Sequence, residues 1–239
     1  MLITSSTSAL LLIDFQERLV PSVKSSGQIL QNARRLAQAA QWLGVRLLYS
    51  EQYPKGLGPT LAPLQELLKP AARFEKRSFG LLAESTETRE HFYQLKESGI
   101  RQIAVCGVEA HICVLQTALQ LQAEGFEVYL VQDAVASRNK KDAKTALHRM
   151  IQAGIHPVNT EMVLFEWLAS AAHPRFKEVQ ALILEPRDSD LEEDDDGEEH
   201  NRESEEDASE RSEADDKQRF RVNRTETPSP TAAGSPASR

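Results

Sequence analysis

The sequence predicts a doubly wound parallel α/β fold, and three observations carry that reading. Short apolar runs alternate with segments of helical periodicity along the body of the chain. The first run, "ALLLIDF", is apolar at five consecutive positions, as in a strand buried on both faces. Several helical segments close on a glycine just before the next strand, at "LG", "SG" and "EG", which suits right-handed βαβ units.

Six strands are expected in order: "ALLLIDF", "VRLLYS", "ARFEK", "RQIAVCG", "FEVYLVQD" and "IHPVN". The first helix, "QILQNARRLAQAAQWLG", spaces Ile29, Leu30, Ala33, Leu36, Ala37, Ala40 and Leu43 at helical intervals and stops at Gly44. Further helices are expected at "LAPLQELLK", "ETREHFYQLKESG", "AHICVLQTALQLQAEG", "KDAKTALHRMIQAG" and "TEMVLFEWLA". No internal repeat is visible. With strand order 3-2-1-4-5-6, strands one and four are neighbours, and the crevice at their C-terminal ends is the place where such sheets bind ligands. The first strand ends at Asp14, the fourth ends at Cys106-Gly107, and the next helix starts near Cys113.

Charge divides the chain. Residues 1–186 carry 20 Lys+Arg and 18 Asp+Glu, whereas residues 187–239 carry 8 and 18, so the net charge of -8 comes from the C-terminal part. That part, "RDSDLEEDDDGEEHNRESEEDASERSEADD" followed by a basic "KQRFRVNR", has too little apolar surface to offset its ordering entropy. Two regions are therefore expected: a folded domain over 1–186 and a disordered acidic tail over 187–239. The basic stretch beside so much acid reads as solvated, and nucleic acid is not an expected partner. The N-terminal segment lacks the basic start of a signal peptide, and no apolar run approaches the ~20 residues of a membrane span. Two cysteines make no disulfide framework. A protein of a reducing compartment, cytoplasmic and not in a membrane, is expected.

Cys113 falls in the expected first turn of a helix, where unpaired N–H groups and the helix dipole favour a thiolate and can hold an oxyanion. It is either a nucleophile or a buried helix cysteine. Cys106, inside an apolar strand, reads as packing. Asp14 closes a buried strand and is either a cap or salt-bridge partner or a general base beside a thiol. Lys76, in "RFEKRSFG", is either a solvated loop residue or the cation that holds such an acid and favours a thiolate. Neither "GLG" at Gly56–Gly58 nor any other segment forms a phosphate-binding or dinucleotide fingerprint.

The segments "LLLIDFQERL", "FEKRSFG" and "VCGVEAHICVLQTALQLQAEGFEVYLVQDAVASR" together resemble the isochorismatase-like cysteine hydrolases over roughly residues 8–170. "EQYPKGLGPT" further resembles the isochorismatase domain-containing subgroup. The resemblance implies a catalytic triad of Asp14, Lys76 and Cys113. It implies a cis peptide between Val108 and Glu109, and an oxyanion hole from the N–H groups of Glu109 and Cys113. It also implies a homo-oligomer assembled through the helices that flank the sheet. Phe15, Gln16, Tyr53 and His111 are the candidate substrate-binding residues. Two departures matter. The family loop often reads Thr-Asp where this chain has Ala110-His111, and the Asp-x-His metal ligands of nicotinamidases have no counterpart in "YSEQYPKG". No metal or other cofactor is expected, since the six histidines lack ligand spacing. The expected activity is hydrolysis of a small amide or related C–N substrate through a thioester. The alternative is a non-catalytic interaction protein whose acidic tail recruits partners.

Overall fold

The computed structural model describes residues 1–186. The expected acidic tail, 187–239, lies outside the described residues.

Six parallel strands form one sheet in the order β3-β2-β1-β4-β5-β6. They are β1 (Ser8–Ile13), β2 (Arg46–Gln52), β3 (Ala72–Lys76), β4 (Gln102–Val108), β5 (Glu127–Ala136) and β6 (His156–Val158). The helices are α1 (Ser26–Leu43), α2 (Pro54–Leu57), α3 (Ala62–Leu68), α4 (Thr86–Glu97), α5 (Leu115–Ala123), α6 (Lys140–Gln152), α7 (Thr160–Leu168) and α8 (Phe176–Leu184). The expected order 3-2-1-4-5-6 is therefore the observed one. No helix among the described residues is long and apolar enough to cross a membrane.

Strand β1 is the centre of the sheet, and every residue in it is buried. Its alternation feeds two cores. Leu10 and Leu12 join Leu36, Ala40, Leu64 and Trp167 under α1, α3 and α7, with α8 closing the layer through Val179 and Leu182. Ala9, Leu11 and Ile13 join Phe92, Leu121 and Met150 under α4, α5 and α6. Burying each such leucine stabilises the fold by about 1.5–3 kcal/mol, which is why a strand with no polar face sits where helices cover both sides. Helix ends follow local chemistry: Ser85, Asn139 and Asn159 each accept a backbone N–H in the first turn of α4, α6 and α7.

Three local features depart from expectation. Asp133 reads in sequence as the end of the fifth strand, yet β5 runs on to Ala136. The register between β4 and β5 shifts between Val105 and Gly107, so that Val108 pairs with Ala136. Asp133 stays in the strand because its carboxylate accepts from the Thr160 N–H (2.8 Å) and hydroxyl (3.0 Å). The segment before α5 is a π-helical turn, Ala110–Val114, rather than the first α-turn. Helices α2 and α8 have no counterpart among the expected elements; α8 packs against α1 and α7.

Where β4 meets β1 at the open end of the sheet, Gly107 has φ +137°, and a Cβ there would lie 2.1 Å from the Ile13 carbonyl oxygen. Only glycine allows this approach. Gly107→Ala is expected to destabilise the protein by about 3 kcal/mol, from backbone strain and overpacking together. Denaturant unfolding measures it; a loss below 1 kcal/mol would mean that β1 and β4 can separate here without consequence.

Candidate functional site

The site forms at the C-terminal ends of β1, β2 and β3 and on the turn after β4. Pairing places Ile13 beside Ser50 and Gln52 beside Lys76, which brings Asp14 and Lys76 to the same end of the sheet. Asp14 leaves β1 in the left-handed region, at φ +55°, a conformation that Asp tolerates better than most residues. Its carboxylate meets two partners. Ser50 Oγ donates to Oδ1 at 2.7 Å, and Lys76 Nζ donates to Oδ2 at 2.7 Å. Both charged side chains are fully buried. Lys76 Nζ also donates to Gln52 Oε1 at 2.7 Å, and lies 3.3 Å from the Phe79 carbonyl and 3.5 Å from that of Ser78. All these acceptors suit an ammonium.

Cys113 completes the constellation from the π-helical turn. It is 6% exposed, and its thiol interacts with both Asp14 and Lys76. The structure therefore brings together the three residues that the sequence singled out. The expectation of a stabilised thiolate is corrected. Burial pushes the Cys113 thiol up to about 12; the Asp14 charge pushes the same way, and Lys76 offsets only part of this. Burial and the Asp14 charge thus both favour the neutral thiol. Cys106 is fully buried, with Sγ 3.9 Å from the Leu11 carbonyl, and burial followed by the Asp133 charge raises its thiol too. Both cysteines are free.

The peptide bond between Val108 and Glu109 is cis. The Glu109 carbonyl accepts from the N–H groups of Ile112 (3.0 Å) and Val114 (3.3 Å), which starts the π-helical turn. The Glu109 carboxylate is held by the Arg138 backbone N–H at 2.9 Å and by its Nε at 3.0 Å. The extended β5 thus anchors the loop that carries the nucleophile candidate. His111, on the same turn, shares a hydrogen bond of 2.9 Å between Nδ1 and Ser137 Oγ.

The other candidates are placed differently. Phe15 is buried in the core under α1, the opposite layer from Cys113. Gln16 is buried, and its amide binds the Gln52 backbone on both sides (3.0 and 2.7 Å) and the Gly58 carbonyl (2.7 Å). It fastens the loop after β2 to the end of β1. Tyr53 is 46% exposed at the end of β2, with the Arg77 guanidinium 5.4 Å from its ring centroid.

In "YSEQYPKG", Ser50 and Gln52 point into the triad, and Glu51 does not. The Glu51 carboxylate is buried, which opposes its charge. Hydrogen bonds from Thr60 and Arg73 nevertheless hold it below the usual carboxylate range. No group of three or more His, Cys, Asp or Glu side chains among the described residues could hold a metal ion. Ser50, Gln52, Ser137 and Arg138 were not singled out from sequence; the signal available for the first two was the polar run that ends an apolar strand.

Known proteins share this architecture. The chain is 40% identical over 186 residues to isochorismatase domain-containing protein 2 of Danio rerio, covering 77% of this chain and 90% of that one. It is 39% identical to isochorismatase domain-containing protein 1 of Danio rerio over 182 residues, 76% of this chain but only 62% of that longer relative. The solved MAR1 ribonuclease of Caenorhabditis elegans superposes with a TM-score of 0.72 at 35% identity, over 78% of this chain and 94% of that one. The family model described as the isochorismatase domain matches residues 8–162, and the chain belongs to the isochorismatase family.

Proposed function

We propose that the protein is a cysteine hydrolase of a small amide or related C–N substrate, with Cys113 as nucleophile, Asp14 as general base and acid, and Lys76 as the cation that fixes Asp14. The supporting observation is the dry Asp14–Lys76 pair in contact with a neutral thiol. A buried ion pair stabilises a fold weakly at best, so a sequence that keeps one beside a nucleophile is using it for chemistry.

The steps follow from the protonation states. Because the thiol rests protonated, its proton passes to Asp14 as sulfur attacks the substrate carbonyl and the S–C bond forms. The oxyanion is received by the N–H groups of Glu109 and Cys113. Asp14 then gives the proton to the leaving nitrogen, the C–N bond breaks, and a thioester remains. Water attacks it with Asp14 again as base; the acid leaves and the proton returns to sulfur. Lys76 takes part in no proton transfer; its Nζ faces the acceptors of Asp14, Gln52, Phe79 and Ser78. No step calls for a metal. The proposed active form is a homo-oligomer.

The relative from Caenorhabditis elegans is called a ribonuclease, which favours RNA as a second substrate class to test. A nucleophile only 6% exposed, behind fully buried partners, admits a compact acyl group more readily than a polynucleotide backbone.

Cys113→Ala is expected to lower turnover of a panel of small amides by at least about 1,000-fold, as loss of a nucleophile does. Cys106→Ala should retain turnover and cost about 1 kcal/mol of stability. Equal loss in two folded variants, or hydrolysis of RNA alone, overturns the assignment.

Thiol reactivity carries a sign test. Alkylation of Cys113 should keep rising with pH above about 9, where an ordinary thiol levels off. Asp14→Asn removes a charge that raises the thiol, so alkylation should quicken while turnover is lost. Lys76→Ala removes a charge that lowers it, so alkylation should slow. Changes of the same sign in both variants would dissolve the triad.

Chelation followed by elemental analysis is expected to leave turnover unchanged. Stoichiometric metal whose removal abolishes activity would contradict the mechanism.

A further inference from the structure

We infer that Gln52 is a positioning residue that acts through Lys76: it holds the ammonium where it can serve both Asp14 and Cys113. The inference rests on the hydrolase reading above and deepens it by adding a fourth residue to the machinery.

The geometry assigns the orientation of the Gln52 amide without ambiguity. Its Nε2 donates to the Arg77 carbonyl at 2.8 Å, which leaves Oε1 to face Lys76 Nζ at 2.7 Å. The backbone is fixed as firmly. Gln52 N–H donates to Gln16 Oε1 at 2.7 Å, and the Gln52 carbonyl accepts from Gln16 Nε2 at 3.0 Å. Gln52 also pairs with Lys76 in the β2–β3 ladder. The acceptor is thus held from three directions before Lys76 reaches it.

The role follows from what surrounds Nζ. Asp14 Oδ2 and Gln52 Oε1 are its two short contacts, at 2.7 Å each; the Phe79 and Ser78 carbonyls are longer, at 3.3 and 3.5 Å. With Asp14 as the only short contact, the longer carbonyl contacts alone would set the direction of the ammonium about that bond. A second, neutral acceptor sets the direction of the head without adding charge. Neutrality matters. A carboxylate at position 52 would add a second negative charge beside a thiol that the Asp14 charge already raises. The titratable groups facing this assembly are Asp14 from β1, Cys113 from the π-helical turn and Glu84, which senses the Lys76 charge from beyond Ser78.

The test is the alkylation rate of Cys113 as a function of pH, read with iodoacetamide on the full chain, with Cys106→Ala present to remove the second thiol. A hydrogen bond to a charged group justifies an expected slowing of about 10-fold in Gln52→Leu. Gln52→Glu should be slower still, because it adds the charge. Turnover of the best amide found should show kcat reduced about 10-fold with KM within about 2-fold, since the residue acts through the reacting groups. In a Lys76→Met background, Gln52→Leu should change the alkylation rate no further, which a merely structural residue would not show. The comparison of the Leu and Glu variants stands even where the Lys76 variant fails to fold. An unchanged alkylation rate in Gln52→Leu, with Cys113 still labelled, overturns the role of Gln52 and leaves the nucleophile intact. Labelling that persists after Cys113→Ala in the same background, or a wild-type Cys113 that never reacts, overturns the nucleophile and Gln52 with it.

Discussion

The buried ion pair between Asp14 and Lys76 is the constraint on which the site depends. Its two residues come from β1 and β3, which are not neighbours. Adjacent strands lie about 4.8 Å apart, so the pair must bridge roughly 10 Å across the end of β2. A short acid meets that distance only if a long cation does most of the reaching, and the lysine stem does so. Whatever β2 places beneath the bridge must be small or polar. Ser50 and Gln52 are both polar, and each hydrogen-bonds one end of the pair. The 3-2-1 part of the strand order is therefore tied to the chemistry. Were β3 elsewhere in the sheet, the Asp14 carboxylate would be buried with only the Ser50 hydroxyl as its side-chain partner, a costly state for a charge.

The same dryness sets the state of the nucleophile. Removing water from a thiolate penalises it, and a neighbouring carboxylate adds to the penalty, so Cys113 rests as a thiol although a cation is within reach. On the proposed mechanism, a protonated Cys113 in contact with Asp14 is inert towards solvent yet needs only one short proton transfer to attack. Sequence reasoning weighted the turn and its dipole, which favour a thiolate. Burial is the larger effect here, and it depends on how α5, α6 and the sheet close over the turn, which spacing along the chain does not report.

Much of the fold and half of the site were legible. Apolar runs and glycine stops marked the strands because a central parallel strand has no polar face to hide its pattern. Asp14, at the end of an apolar run, and Cys113, at an expected helix start, stood out as candidates with open alternatives; Lys76 joined them through the family resemblance. The failures are equally physical. Asp133 looked like a strand end because an acid inside β5 is costly, yet Thr160, 27 positions away, satisfies it. Gln52 was not singled out because its contact with Lys76 exists only once β3 lies alongside. Phe15 and Gln16 follow Asp14 in sequence, but β1 ends at Ile13 and the chain turns at Asp14 (φ +55°), so that Phe15 serves the core under α1 and Gln16 ties the end of β1 to β2.

The two cysteines show what separates reactivity from burial. Both lie deep, both are free, and desolvation raises both thiols. Cys106 has a backbone carbonyl at the edge of contact and only the distant Asp133 charge for company. No group beside it both accepts a proton and compensates the resulting charge. Cys113 has beside it a carboxylate, Asp14, that the proposed mechanism uses as its base, and Lys76 as that carboxylate's counter-ion. A raised proton affinity is therefore compatible with nucleophilic chemistry at one cysteine and forbids it at the other. What distinguishes them is a base held in place by its own counter-ion, and in this chain that counter-ion is held in turn by the end of β2.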